Sequence, residues 1–398
     1  MAGTIVTGGS VSTEEVVPEQ RQIDMDERIR KLRSDDSQFS TMTDKTPSRT
    51  AVREKVNWLE EDDFPRQVSA SAGVATGVFA IPLAAGQGKI IAARDVLRNM
   101  RTGEAMLVTS VATDTATVQR PVGNAPTAAI NSGDVFLVVG DAQAQGSDFP
   151  APRYLARVLG YNYTQITRTT WSFTGTQVAI DIYSGREPGV EAVRKAREHK
   201  RKWEAIGFFG ARSFAAAVAP DNDPQGTSGG AVEFITSNVQ DIAGVPLTPA
   251  FFDAWISSIM PYGDHGSKVL FASPTLVQNM SVWVRAGMGS QWTPTPSNVY
   301  GVQVDAFISG AFGYKVPVVV KTEWAEFPYA NKGYGGWGFL LDLSLIQQVP
   351  LRDRDTKLIT EQQPKGKDVY SAEYFREATY EFANEKAHGI IKGAVPPT

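Results

Sequence analysis

The chain is 398 residues long, carries a net charge of −4 and contains no cysteine, which excludes a disulfide framework, thiolate metal sites and a cysteine nucleophile. Apolar residues make up 42% and charged residues 21%, the balance of ordinary soluble globular domains, and the acidic sum is not the electrostatic footprint of a nucleic-acid binder. No apolar run approaches the about 18 residues of a membrane span, and Met1-Ala2-Gly3-Thr4 lacks the basic and apolar regions of a signal peptide. The length implies two or three packing units, and 36 glycines with 23 prolines favour strands and turns over a helix bundle.

In chain order, residues 1–50 are polar and predict an N-terminal arm. Met25, Ile29 and Leu32 fall at i, i+4 and i+7, and Asp24/Arg28, Asp26/Arg30 and Glu27/Lys31 are i,i+4 charge pairs, the pattern of a short amphipathic helix. At about 12 residues such a helix is marginal alone in water, so its stripe is expected to rest on the body of the chain or on a neighbour. The plainer reading is a disordered polar tail with a chance period.

From 72 to 150 short strand-like runs appear at 77–81, 89–92, 105–111, 116–120 and 135–139, punctuated by glycine, asparagine or aspartate. They predict a small β-barrel or sandwich. Extended stretches follow at 161–173 and 177–183, separated by Thr174-Gly175-Thr176. The best helix begins near Glu187-Pro188, where proline costs no hydrogen bond and glutamate suits the dipole. Val190, Val193, Ala196, Lys200, Trp203, Ile206 and Gly210 mark one face of it. About 25 residues of helix would run ~37 Å. Residues 221–230 are expected to be a loop. Helices at 249–260 and 273–286 then alternate with strands at 269–272, 301–308, 316–320, 338–343 and 377–383, an α+β texture without internal repeat.

Candidate chemistry is thin. Gly226-Thr227-Ser228-Gly229-Gly230 matches the nucleophile elbow, which requires a strand before the serine and a helix after it. The sequence predicts a loop before and a strand over 231–236, so the context is wrong on both sides. Asp221-Asn222-Asp223-Pro224-Gln225-Gly226 opens like a calcium loop but has Val232 where a bidentate glutamate belongs. Gly86-Gln87-Gly88-Lys89 fails the P-loop register. His199, His265 and His388 have no ligand-like spacing, and the basic run from Arg197 to Lys202 reads first as a solvated helix face paired with acids and second as a phosphate-touching nucleic-acid site. No catalytic residue, cofactor or metal is expected.

The order of parts resembles the major capsid proteins of tailed bacteriophages, whose architecture is the Johnson fold. The segments that carry the resemblance are Asn162-Tyr163-Thr164-Gln165-Ile166, Thr174-Gly175-Thr176, Lys200-Arg201-Lys202-Trp203-Glu204-Ala205 and Lys386-Ala387-His388-Gly389-Ile390-Ile391-Lys392-Gly393. They lie in the order of the subfamily with a β-rich insert before the Asn-Tyr-Thr-Gln-Ile segment. Thr174 stands where that family suggests serine, Trp203 where it suggests an aliphatic residue, and the first 50 residues have no counterpart.

The resemblance implies an N-terminal arm at 1–50, an extended loop at 51–183 with the β-rich insert at 72–150, and a spine helix with the start of a peripheral domain at 184–244. An axial domain at 245–345 and a return to the peripheral domain at 346–398 complete it. It implies self-assembly into hexamers and pentamers of a virion capsid built in the host cytoplasm, with portal, scaffolding and decoration proteins as partners. Contact with packaged DNA would be weak and non-specific, and no membrane is involved. The residues assigned to assembly on this basis are Met25, Ile29, Leu32, Asn162, Tyr163, Gln165, Arg197, Lys200, Trp203, Tyr334 and Trp337. Two other readings stay open: an encapsulin-like compartment of the same fold, and a β-rich carbohydrate-binding attachment protein.

Overall fold

A computed structural model describes residues 37–180, 187–218, 222–283, 292–299, 302–308, 315–328 and 333–397. Met25, Ile29 and Leu32, and with them the expected amphipathic helix, lie outside the described residues. The described chain begins with a short helix, α1 (Gln38–Thr43), and a strand, β1 (Lys55–Glu60). Contacts divide the whole into two units, residues 59–159 and the remainder.

The 59–159 unit is made of β2 (Gln67–Ser69), β3 (Ala80–Pro82), β4 (Asp95–Asn99), β5 (Ala105–Ala112), β6 (Thr115–Val122) and β7 (Val135–Asp141), ordered β2-β7-β4-β5-β6-β3. The two ends of that order meet. Ala70 bridges Leu83, the Ser71 amide donates to the Pro82 carbonyl, and the Ala84 amide donates to the Ser69 carbonyl. The sheet thus closes into a small barrel, which removes the edges an open sheet would expose. Strand alternation fills the interior with Leu97, Met106, Val108, Ala116 and Val118.

An ion pair is enclosed as well: Arg120 Nη2 lies 2.7 Å from Glu104 Oε2, and both side chains are fully buried. Glu104 also accepts the Ala128 amide, while Arg120 donates to the carbonyls of Val78 and Ala128. The pair therefore pins the 128 loop to the barrel.

The strand expected at 89–92 is instead a 3-10 turn, Gln87–Lys89, and the strand comes later as β4. The Asp114 carboxylate accepts the amides of Gly86 and Gly88, both at 3.0 Å, and a Cβ at Gly88 would sit 1.8 Å from the Thr113 carbonyl oxygen. Side-chain capture of the backbone here overrides the β-branched Ile90-Ile91 pair.

The larger unit resumes with β8 (Val158–Tyr163), paired with β1 as a two-stranded ribbon, and β9 (Gln165–Thr174). The stretch expected to stay extended at 177–183 opens with a helix, α2 (Gly175–Ala179), because Thr174 Oγ1 accepts the Gln177 amide and caps it. Next comes the long helix α3 (Glu187–Phe209), 23 residues and about 34 Å. Its packed stripe differs from the predicted one. His199, Trp203, Glu204, Gly207 and Phe208 are buried, while Val190, Val193 and Lys200 are exposed. Burial starts only where α3 reaches β9, which His199 touches through Thr169.

Residues 221–230 are not a simple loop. β10 (Ser213–Val218) and β11 (Asp223–Thr227) pair antiparallel, and residues 231–234 form α4 (Ala231–Phe234) where a strand was expected. Ala231 and Ile235 are both buried, one helical turn apart.

The remaining elements are β12 (Val239–Asp241), α5 (Pro249–Ile259), β13 (Lys268–Ala272), α6 (Pro274–Trp283), β14 (Trp292–Val299), β15 (Val302–Ile308), β16 (Lys315–Val320), β17 (Gly338–Asp342), β18 (Ile346–Pro350), β19 (Lys357–Ile359), β20 (Val369–Phe382) and β21 (Gly389–Lys392). Seven strands form one mixed sheet, β12-β21-β17-β13-β16-β15-β14, in which β12/β21 and β13/β16 are parallel. Every residue of β13 and β17 is buried, as a sheet covered on both faces requires. Val269 and Phe271 join a cluster with Phe39 of α1 and Trp203 and Phe208 of α3. Leu270 and Ala272 join another with Phe252 and Ile256 of α5 and Leu276 and Met280 of α6. The α+β class expected from sequence is present.

β20 is the longest strand. It pairs with β18 and β19, and also with β9 in continuous register from Gln165↔Ala378 to Thr174↔Val369.

Candidate functional site

The Asn162-Tyr163-Thr164-Gln165 segment, where β8 passes into β9, meets the glycine-rich turn after β11 and the C-terminal end of β20 in a buried polar knot. Asn162 is fully enclosed. Its Nδ2 donates to Ser228 Oγ (3.2 Å), the Gly229 carbonyl (3.1 Å) and the Tyr380 carbonyl (2.7 Å), and its Oδ1 accepts the amides of Gly229 and Tyr163, both at 2.9 Å. Gln165 Oε1 accepts the Ser228 amide at 3.0 Å. Ser228 Oγ lies 3.0 Å from Thr379 Oγ1 and accepts the Tyr380 amide at 3.3 Å.

Glycine is required here for closeness. A Cβ at Gly230 would lie 2.3 Å from the Ile206 carbonyl oxygen, and one at Gly226 would lie 2.5 Å from that of Thr164. Tyr163 points out of the knot and stacks on Phe214, ring centroids 5.3 Å apart.

The C-terminal end of α3 forms a second constellation. Trp203 is buried, with the Arg376 guanidinium 5.0 Å from its ring and the Tyr380 hydroxyl donating to its carbonyl at 3.0 Å. Tyr334 stacks on Phe209 at 4.0 Å, and Trp337 meets both rings edge-on. Tyr334 and Trp337, both assigned to assembly by the resemblance, are thus packed on α3, while residues 329–332 lie outside the described residues.

Glu204 ties α1 down. Its Oε1 accepts the Phe39 amide (3.0 Å) and Lys321 Nζ (2.8 Å), and its Oε2 accepts the Ser40 amide. Burial pushes the Glu204 carboxyl above its ordinary range, against the pull of Lys321 and the two amides. Sequence reading missed this residue as a site, because its partners are at 39, 40 and 321.

Of the assigned assembly residues, Asn162 and Trp203 are enclosed within the subunit, so any part they play in assembly acts through the fold. Gln165, Tyr163 and Arg197 are half-buried, and Lys200 is exposed. The basic run is laced with acid, Lys195 to Glu198 at 2.7 Å and Lys202 to Glu198 at 3.4 Å. His199 is the exception to a solvated face: it is buried, with Nδ1 3.1 Å from Thr169 Oγ1.

Burial holds the His199 imidazole down at about 4, helped by the charges of Arg376 and Lys202, and burial holds His388 at about 4 as well. An unfolded histidine titrates at 6.5, so the unfolded chain takes up protons first. The stability these two neutral rings contribute is intact above that value and drains away as pH falls towards about 4. Urea midpoints are expected to be lower at about pH 4.5 than at about pH 7.5, with a smaller fall in His199→Gln. An equal fall in both proteins contradicts this.

Ser228 does sit between a strand and a short helix, contrary to the sequence reading. Its hydroxyl, however, is buried on Asn162, Thr379 and backbone groups, none of which is a base. Among the described residues no group of three or more His, Asp or Glu side chains is placed to hold a metal ion, and no helix is long and apolar enough to cross a membrane.

The profile of the family described as SU10 major capsid protein matches residues 5–395 of the chain. The major capsid protein of Pseudomonas phage PaMx41 is 27% identical over 196 residues, 46% of this chain and 46% of its own length. The match therefore spans about half the length of that curated relative. Among solved structures, the capsid of Myoviridae phage XM1 is similar over 97% of this chain and 99% of its own, at 10% identity and a TM-score of 0.47. The capsid of a native GTA particle is similar over 98% of this chain and 100% of its own, at 10% identity and 0.46.

Proposed function

The chain belongs to the SU10 major capsid protein family, and from that premise we propose that it builds an icosahedral shell from copies of itself, arranged as hexamers and pentamers around packaged double-stranded DNA. The observation that carries this reading is the family match over nearly the whole chain, from residue 5 to 395.

The physics of the subunit supports it. A shell protein must keep one rigid body while meeting several different neighbours. The two-faced sheet, clamped between α3 on one side and α5 and α6 on the other, is such a body. One standard interface buries ~1,600 Å², and a subunit with an arm and a long excursion can add several such contacts, each individually weak.

In this reading residues 1–50 are the arm, 51–183 the extended loop, 245–345 the axial domain, and 184–244 with 346–398 the peripheral domain. The exposed Lys200 and the half-buried Arg197 and Tyr163 face neighbours, and Asn162, Gln165 and Trp203 hold the surfaces that do. Portal and scaffolding proteins are further partners, a decoration protein fits the same scheme, and DNA is touched only weakly, as a net charge of −4 suits. The protein works by geometry and needs no catalytic group.

Electron microscopy of the chain co-expressed with neighbouring phage structural genes is expected to show hexamers, pentamers or closed shells. Monodisperse monomers under every such condition overturn the proposal.

A further inference from the structure

Three side chains from distant parts of the larger unit meet in a way that shell building does not use. Lys321, just past β16, is fully enclosed, and its Nζ lies 2.8 Å from Glu204 Oε1 on α3 and 3.0 Å from Gln38 Oε1 at the start of α1. Phe39, Phe208, Phe271 and Trp324 belong to the same buried cluster and interlock with one another. The amine and the carboxylate are therefore held out of water, and the half-buried carboxamide reaches the amine. That is the reactant set of an acyl transfer, with the amine in contact with both the carboxamide oxygen and the carboxylate. The carbon under attack is one bond beyond the oxygen that the amine already touches.

We propose that Lys321 and Gln38 join in an intramolecular isopeptide bond, with Glu204 as the proton relay. Glu204 takes a proton from Lys321 Nζ, and the free amine adds to Gln38 Cδ. The relay passes that proton to Gln38 Nε2, the Cδ–Nε2 bond breaks, and ammonia leaves. Glu204 takes the second proton from Nζ as the new Cδ–Nζ amide forms. No oxidant or cofactor enters.

Two features favour the product. It replaces a buried ammonium and carboxylate with a neutral amide and a neutral acid, and so removes the desolvation that weighs against a buried ion pair. Burial already pushes the Glu204 carboxyl towards the protonated form in which the relay ends. Gln38 is only half-buried, which gives ammonia a way out. The bond closes the chain from 38 to 321 into a covalent loop and fastens α1 to the sheet.

This inference goes beyond shell building and does not depend on it, because the readout is mass. The purified full chain is expected to weigh less than its sequence by one ammonia, and proteolysis is expected to yield one peptide pair joined through Gln38 and Lys321. Gln38→Ala leaves the Lys321–Glu204 pair in place, so it should fold, show its full sequence mass and yield separate peptides. Glu204→Gln should leave the bond unformed wherever that variant folds. Wild-type protein that keeps its full mass after folding and assembly overturns the proposal, as does an ammonia loss that persists in Gln38→Ala.

Discussion

Arg120→Met is expected to destabilise the 59–159 unit by about 3–5 kcal/mol, because removing one partner of a buried ion pair strands the other. Both side chains of the Arg120–Glu104 pair are completely enclosed, and Glu104 would keep only the Ala128 amide. The carbonyls of Val78 and Ala128 would also lose their donor. Hydrogen exchange followed by mass spectrometry reads this locally: protection should fall across 59–159 and persist in α5, α6 and β13. Adding Glu104→Leu to Arg120→Met should restore most of the loss, since an apolar pair of similar volume often replaces a buried ion pair at little cost. Unchanged exchange in the single variant would mean that the pair is not what pins the loop.

Asn162→Ala is expected to cost the larger unit about 3–5 kcal/mol. Five groups lose a bond at once: the amides of Gly229 and Tyr163, the carbonyls of Gly229 and Tyr380, and the Ser228 hydroxyl, at ~1–3 kcal/mol for each left unsatisfied. Ser228 still has Thr379 and the Tyr380 amide, so it contributes least. Gln165→Ala removes only the bond to the Ser228 amide and should cost about 1 kcal/mol. The informative quantity is the ranking, measured by urea unfolding. If Asn162→Ala is no worse than Gln165→Ala, the knot does not hold β8, β11 and β20 together. Shell formation should fail for Asn162→Ala and survive for Gln165→Ala.

Elements with local signals were legible in the sequence. α5 and α6 announce themselves with Thr248-Pro249 and Ser273-Pro274, where each hydroxyl caps its helix and each proline takes the first turn. β13, β16 and β17 are short apolar runs of the kind a doubly covered sheet demands. The part of β20 before residue 377, with Glu373 and Arg376 inside it, gives no such signal. It is a strand because β9 pairs with it on one side and β19 on the other.

Glycine was misread for a similar reason. Gly226 and Gly230 suggested a loose loop, yet they mark places where backbones nearly touch, a condition set by residues some 60 and 20 positions upstream. Asn162 stood out by resemblance, but its partners at 228, 229 and 380 could not be inferred from spacing. Glu204, with partners at 39, 40 and 321, left no local trace at all.

Strands β1 and β8 run side by side, so the chain departs for the 59–159 unit and comes back at points about one strand spacing, ~4.8 Å, apart. Just inside the larger unit the ribbon is sealed by Trp58 lying against Gly160, where a Cβ would fall 2.3 Å from the indole nitrogen. The barrel is therefore a cassette spliced into a single gap. A lineage can acquire it, trade it for another domain with adjoining termini, or drop it for a tight turn without lengthening any other connection. The same gap is the natural place to graft a foreign domain for display.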